Sequence, residues 1–199
     1  KQQNAKKGRG VVYMKDQKKR REPRPTASRA AAQQTAGSTG SRLRGIDWVK
    51  LIVSLATPAA VGALTAVLTK DKTGPVYAAL RKPPLSPPGE VFPWVWAALY
   101  LLMGIALYLA WSSRHEGSKT KALSAFFVQL ALNAAWPLVF FLAQDLLLSA
   151  VIALALLFAV AVAFTLFRRE ARVAGLLLLP YLLWAAFAAY LSLGVALLN

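Results

Sequence analysis

The sequence predicts an all-α membrane protein: a five-transmembrane-helix bundle over 46–199 behind a basic, disordered N-terminal arm over 1–45. Three observations predict it. The chain is 57% hydrophobic, above the usual share for a soluble domain. It nevertheless carries a formal net charge of +16, with 24 Lys and Arg against 8 Asp and Glu. Charge and apolarity are segregated, because 14 of the 24 basic residues precede Leu51.

The arm is rich in Lys, Arg, Gln, Ala, Ser, Thr and Gly and poor in large aliphatic residues, so it buries too little surface to fold alone. Attraction to anionic lipid headgroups is the plainest reading of its charge. An organellar targeting segment is a second, since Arg24–Arg44 is rich in Ser, Thr and Ala and has no acidic residue. Nucleic-acid binding is the weakest and is set aside, because Tyr13 alone supplies an aromatic ring among the charges.

Beyond the arm, five runs contain no Asp, Glu, Lys or Arg: Leu51–Thr69, Val91–Ser113, Ala122–Gln144, Leu146–Phe167 and Val173–Asn199. Each approaches or exceeds the ~20 residues that an α-helix needs to cross ~30 Å of hydrocarbon. A soluble helix would interrupt them with a polar face. The predicted spans are about 48–69, 91–113, 120–144, 146–167 and 173–198. The third and fourth runs are separated by Asp145 alone. As one helix, 122–167 would reach roughly 70 Å, more than twice the membrane. Gln144 and Asp145 are therefore read as a tight turn at a membrane surface.

Lys70–Glu90 is read as the longest loop, since Pro75, Pro83, Pro84, Pro87 and Pro88 oppose a helix there. The loops around Arg114–Lys121 and Arg168–Arg172 are short and basic. Pro137 and Pro180 fall within apolar runs, where they kink a helix or mark its irregular end. Lys and Arg crowd the arm's side of the five spans, and the positive-inside rule then places the N-terminus in the cytosol.

Cysteine is absent, which excludes disulfides and thiolate metal sites. The one histidine, His115, lies in a polar loop, and no metal site is predicted. No nucleophile elbow, phosphate loop or intramembrane carboxylate pair is present, which argues against a coupled transporter and for a site that recognises a mostly apolar ligand. The spans hold aromatic and amide side chains at helical spacing. Trp96, Tyr100, Met103, Leu107 and Trp111 share one face of the second span. Gln129, Asn133, Trp136 and Phe140 share one of the third, and Tyr181, Trp184 and Ala188 one of the fifth. Trp94 and Trp111 suit interfacial anchors. An amide in hydrocarbon needs a partner, either another helix or a ligand, and the sequence leaves both open for Gln129 and Asn133.

These residues sit in recognisable strings. Val76-Tyr77-Ala78-Ala79-Leu80-Arg81-Lys82-Pro83-Pro84-Leu85-Ser86-Pro87-Pro88 is followed by Trp94-Val95-Trp96-Ala97-Ala98-Leu99-Tyr100 and Met103-Gly104. Leu132-Asn133-Ala134-Ala135-Trp136-Pro137 and Pro180-Tyr181-Leu182-Leu183-Trp184-Ala185-Ala186-Phe187-Ala188 come later. Together they resemble the translocator protein / tryptophan-rich sensory protein family, from about Trp48 to the last residue; an arm before the bundle suits a plant-type or algal member. The resemblance implies a five-helix bundle, often a homodimer, that binds tetrapyrroles such as protoporphyrin IX or haem as ligands rather than as an obligatory cofactor. It implies a receptor or carrier in porphyrin homeostasis or stress response. The alternatives are a light-dependent porphyrin-degrading enzyme using Trp96 and Trp184, a sterol or lipid translocator, and a passive membrane scaffold. The host membrane would be ER/Golgi or the mitochondrial outer membrane.

The ligand-binding residues implied are Tyr77, Trp96, Tyr100, Gln129, Asn133, Trp136, Trp184 and Ala188. The loop with Arg81, Lys82, Pro83, Pro87 and Pro88 would cover the pocket, with Arg81 and Lys82 near the propionates. Val76 and Leu85 stand where the family often has Trp. No basic residue follows Tyr190, so the animal cholesterol motif is not supported. Ala131 and Ala135, four apart, would permit close helix packing in a dimer.

Overall fold

The structure is a computed structural model that describes residues 46–113 and 119–199; the basic arm over 1–45 and the stretch around His115 lie outside the described residues. Within Ile46–Asn199 there are five membrane-length helices: α1 Trp48–Ala79, α2 Val91–Trp111, α3 Lys119–Pro137, α4 Leu146–Glu170 and α5 Arg172–Leu198. A π-helical segment, Leu138–Ala143, continues α3 and completes its span. Large apolar side chains on the rim, such as Leu64, Phe127, Phe158 and Leu183, are 53–73% exposed. Such a continuous apolar exterior suits lipid and not water. The protein is therefore a multi-pass integral membrane protein.

Each boundary has a local cause. Asp47 caps α1: its carboxylate accepts the Lys50 backbone N–H at 3.1 Å and pairs with the Lys50 ammonium at 3.3 Å. The backbone bond first, then the ammonium, hold its pKa below the ordinary carboxylate value. Asp145 repeats the device for α4 by accepting the Leu148 N–H at 2.9 Å. Gln144 before it is left-handed, φ 55°, which reverses the chain within two residues. The predicted turn at this position is thus present. Pro137 marks the change from α to π geometry, as its lost N–H and ring bulk require.

The proline-rich loop is shorter than the sequence predicts. α1 does not stop near residue 69 but runs through Pro75 to Ala79, 32 residues or about 48 Å. The loop spans only 80–90. Pro75 frees a single carbonyl, and it lies beyond Lys70, Asp71 and Lys72, where water can replace that bond. One proline of this stretch is thus tolerated in α1, which also holds Pro58, whereas the four that cluster between 83 and 88 are not. The predicted basic loop at Arg168–Arg172 likewise shrinks to Ala171, the sole non-helical residue between α4 and α5.

In cross-section the helices follow the order α1, α2, α5, α4, α3, and α3 with its π segment returns to α1. The most extensive contact is α4 on α5, where Ala153, Ala163, Ala174 and Ala185 are buried and small side chains let the backbones approach. Gly104 admits α1 to α2, because a Cβ there would stand 2.8 Å from the Leu55 Cα. The core lies among α2, α3, α4 and α5, from Met103, Leu107 and Phe126 to Phe167, Leu178 and Tyr181.

Candidate functional site

The bundle leaves a cavity of about 1100 Å³ at the end bearing the 80–90 loop. Its α1 wall comes from positions three or four apart, among them Ala59, Gly62, Ala66, Thr69 and Thr73. Small residues recede there and make the space. The threonine hydroxyls do not face it as free donors: Thr65, Thr69 and Thr73 each donate to the carbonyl four residues earlier, at 2.8–3.1 Å.

The opposite wall is aromatic. Trp96 and Tyr100 come from α2, with ring centroids 5.5 Å apart. Trp136 stacks on Phe140 at 5.0 Å and donates its indole N–H to the Ser192 hydroxyl at 3.0 Å. That bond fixes the ring plane. Ala188 contributes a short side from α5.

Asn133 is the cavity's most deeply placed amide, 3% exposed. Its Oδ1 accepts from the Tyr100 hydroxyl at 2.8 Å, and its Nδ2 donates to the Tyr181 hydroxyl at 3.1 Å. Tyr181 in turn donates to Gln129 Oε1 at 2.7 Å. Gln129 Nε2 reaches Met103 Sδ at 3.9 Å. Three helices are thus tied by one polar chain in the apolar core. The direction is fixed: Tyr181 spends its proton on Gln129, so Asn133 must turn its amide nitrogen to Tyr181 and its oxygen to Tyr100. The partner that the sequence leaves undecided is, for both amides, another helix.

The loop is fastened at several points. The Tyr77 hydroxyl donates to the Pro87 carbonyl at 2.6 Å, and the Tyr190 hydroxyl to that of Pro84 at 2.9 Å. The Asn199 side chain accepts from the Arg81 N–H at 2.9 Å and donates to the Arg81 carbonyl at 3.0 Å. Pro83 packs on Gly194, where a Cβ would approach within 2.6 Å of its ring. The Lys82 ammonium bonds the Tyr77 and Leu80 carbonyls at 2.7 and 3.2 Å, at the end of α1, and lies 4.7 Å over the Tyr77 ring. It complements the negative end of the helix dipole while facing the cavity.

Of the residues singled out in the sequence, Tyr77, Lys82, Pro88, Trp96, Tyr100, Asn133, Trp136 and Ala188 line this cavity. Arg81, Pro83 and Pro87 belong to the fastening of the loop and are outside the lining. Gln129 lies beneath Asn133, one hydrogen-bonded residue removed from the cavity. Trp184 stands behind Phe92, 5.9 Å between ring centroids, and against Phe187 at 5.6 Å. Its indole N–H is buried with no hydrogen-bond partner among the described residues. Leu85 is 82% exposed and is outside the lining of this cavity. The α1 wall escaped sequence reasoning, although the small residues at 59, 62, 66, 69 and 73 announce it by their spacing.

The comparisons with known proteins agree with one another. The sequence profile described as TspO/MBR family matches residues 54–198. The tryptophan-rich protein TspO of Archaeoglobus fulgidus is 38% identical over 152 residues, 76% of this chain and 97% of that protein. The translocator protein of Ovis aries is 36% identical over 154 residues, 73% of this chain and 87% of its own length. The tryptophan-rich sensory protein of Cereibacter sphaeroides is 35% identical over 155 residues, 77% of this chain and 94% of its own. With the five-helix bundle and the aromatic cavity beneath its proline-rich loop, these matches establish that the chain belongs to the TspO/MBR family.

Proposed function

We propose that this protein is a membrane receptor or carrier that binds a tetrapyrrole, protoporphyrin IX or haem, in the cavity between α1, α2, α3 and α5. One observation carries the reading: a single large cavity combines indole walls with an oriented amide and has a cation at its mouth. Its ~1100 Å³ is at the upper end of small-molecule sites, which run to roughly 1,000 Å³. A porphyrin is a flat apolar disc with carboxylates on one edge. Trp96 and Trp136 suit its faces, and Lys82 suits a propionate. Arg81, whose backbone is engaged by Asn199, takes no part in this reading. The cytosolic placement of the N-terminus stays with the positive-inside count.

The test is a titration of the detergent-purified protein with protoporphyrin IX in the dark, followed by tryptophan quenching. Saturable quenching is expected, weakened by Trp96→Phe and by Trp136→Phe. Lys82→Gln is expected to weaken protoporphyrin roughly two- to fivefold, the range of a partly solvated ion pair. The uncharged dimethyl ester should bind the variant and the wild type alike. Equal losses for acid and ester would remove Lys82 from the argument, and absence of saturable binding would remove the tetrapyrrole. Illumination of the same complex separates a carrier from a photochemical enzyme, which would yield a new spectral product that Trp96→Phe abolishes while binding persists.

A further inference from the structure

A second, much smaller void of about 20 Å³ adjoins the main cavity at its inner end. Trp96, Asn133, Trp136 and Ala188 wall both spaces, while Ala153 and Leu156 of α4 and Ala185 of α5 wall the small one alone. It is here that α4, absent from the lining of the main cavity, comes into reach of a bound molecule. Ala153 and Ala185 are each 2% exposed and Leu156 5%, so the walls belong to the packed interior. A space of this size holds one or two heavy atoms.

Carbon suits the void better than water. A buried water needs two to four polar partners. Asn133 is the one wall with an amide, and its oxygen already accepts from Tyr100 while one of its two N–H hydrogens already goes to Tyr181. The Trp136 N–H is spent on Ser192. Three of the four shared walls are large and held, by these bonds or by the contact of Trp96 with Tyr100 and Tyr181. The fourth, Ala188, is a methyl group, so the short way from cavity to void passes over it.

We propose that this void is a side pocket for a one- or two-carbon apolar branch of the ligand, and that Ala153 and Ala185 select ligands by that branch. The inference rests on the tetrapyrrole reading, in which the branch is a methyl or vinyl group on the rim of the macrocycle. Burying two carbons corresponds to roughly a tenfold preference for the ligand that carries them.

Protoporphyrin IX and deuteroporphyrin IX, which has hydrogen in place of both vinyl groups, provide the test. Dark titrations of both would be made on the full chain in detergent, as wild type and as Ala153→Val and Ala185→Val, two fillings from different helices. Wild type is expected to prefer protoporphyrin by roughly tenfold. Each valine should cut that preference below about twofold by weakening protoporphyrin alone, and retained deuteroporphyrin binding then certifies the fold of the variant. A preference that survives both valines overturns the side pocket, as does a wild type that binds the two porphyrins equally. Wild type that binds neither porphyrin overturns the tetrapyrrole reading itself, a result distinct from the other two.

Discussion

Asn133 shows how a single amide acquires a fixed role. Its two bonds, to Tyr100 and Tyr181, are set by a residue that does not reach the cavity, because Gln129 takes the Tyr181 proton. Gln129→Leu would leave that hydroxyl free to donate to Asn133 instead, and the amide could turn over. The unfolding free energy in detergent should fall by about 1–3 kcal/mol, the cost of a buried polar group that loses its partner. Tyr181→Phe removes both of its bonds at once and should cost a similar amount. Thermal unfolding followed by near-UV circular dichroism measures both. A change below about 0.5 kcal/mol in both would mean that the polar chain contributes nothing net, which is the outcome of some membrane hydrogen bonds. Gln129 and Asn133 were legible in the sequence as amides in hydrocarbon in need of partners. Which partners they have was not, because Tyr181 lies 52 residues from one and 48 from the other.

At the scale of elements, α1 and its loop act together. α1 rises past the charged Lys70–Lys72 stretch and carries Tyr77 up to the loop, whose Pro87 it holds. α5 holds the other side through Tyr190 and Asn199. The loop is thus a strapped cover, with proline stiffness between anchors at both ends. Removing two anchors together, as Tyr77→Phe with Tyr190→Phe, should raise amide hydrogen exchange across 81–90 by at least tenfold and leave α2 and α4 unchanged. No change in exchange would show that proline rigidity alone holds the loop. The α1–α2 crossing depends on Gly104: a valine there would push on the Leu55 backbone, whose Cα lies 2.8 Å from where the added Cβ would stand. A loss of about 1–3 kcal/mol is expected from such overpacking, read by the same thermal unfolding. The sequence foresaw a loop from residue 70 because proline density was counted over the whole stretch. The helix in fact depends on where each proline falls. Pro75 stands alone, and Pro83, Pro84, Pro87 and Pro88 do not.

For the whole molecule, five spans of odd number put the two ends of the bundle on opposite sides of the membrane. The 80–90 loop and the Gln144–Asp145 turn share one side, and the α4–α5 joint at Ala171 lies on the other. Because the chain has no cysteine, single labels report this directly. In intact vesicles, Ser86→Cys and Arg169→Cys should react with a membrane-impermeant maleimide from opposite faces. Reaction of both from one face would overturn the five-span topology. The face that labels Arg169→Cys also decides the orientation that the positive-inside count proposes.

The sequence by itself determined the membrane class, the number of spans, the turn at Asp145 and the family. These follow from hydropathy and local geometry, which accumulate along the chain without regard to distant residues. Only the tertiary structure decided which way each aromatic faces. Trp96 and Trp136 look into the cavity, whereas Trp184, alike in type and spacing, is turned behind Phe92. In lipid every apolar face of a helix is equally content to be outside, so periodicity does not fix rotation about the helix axis. That rotation is settled by where small residues let backbones meet and where buried amides and hydroxyls find one another across helices.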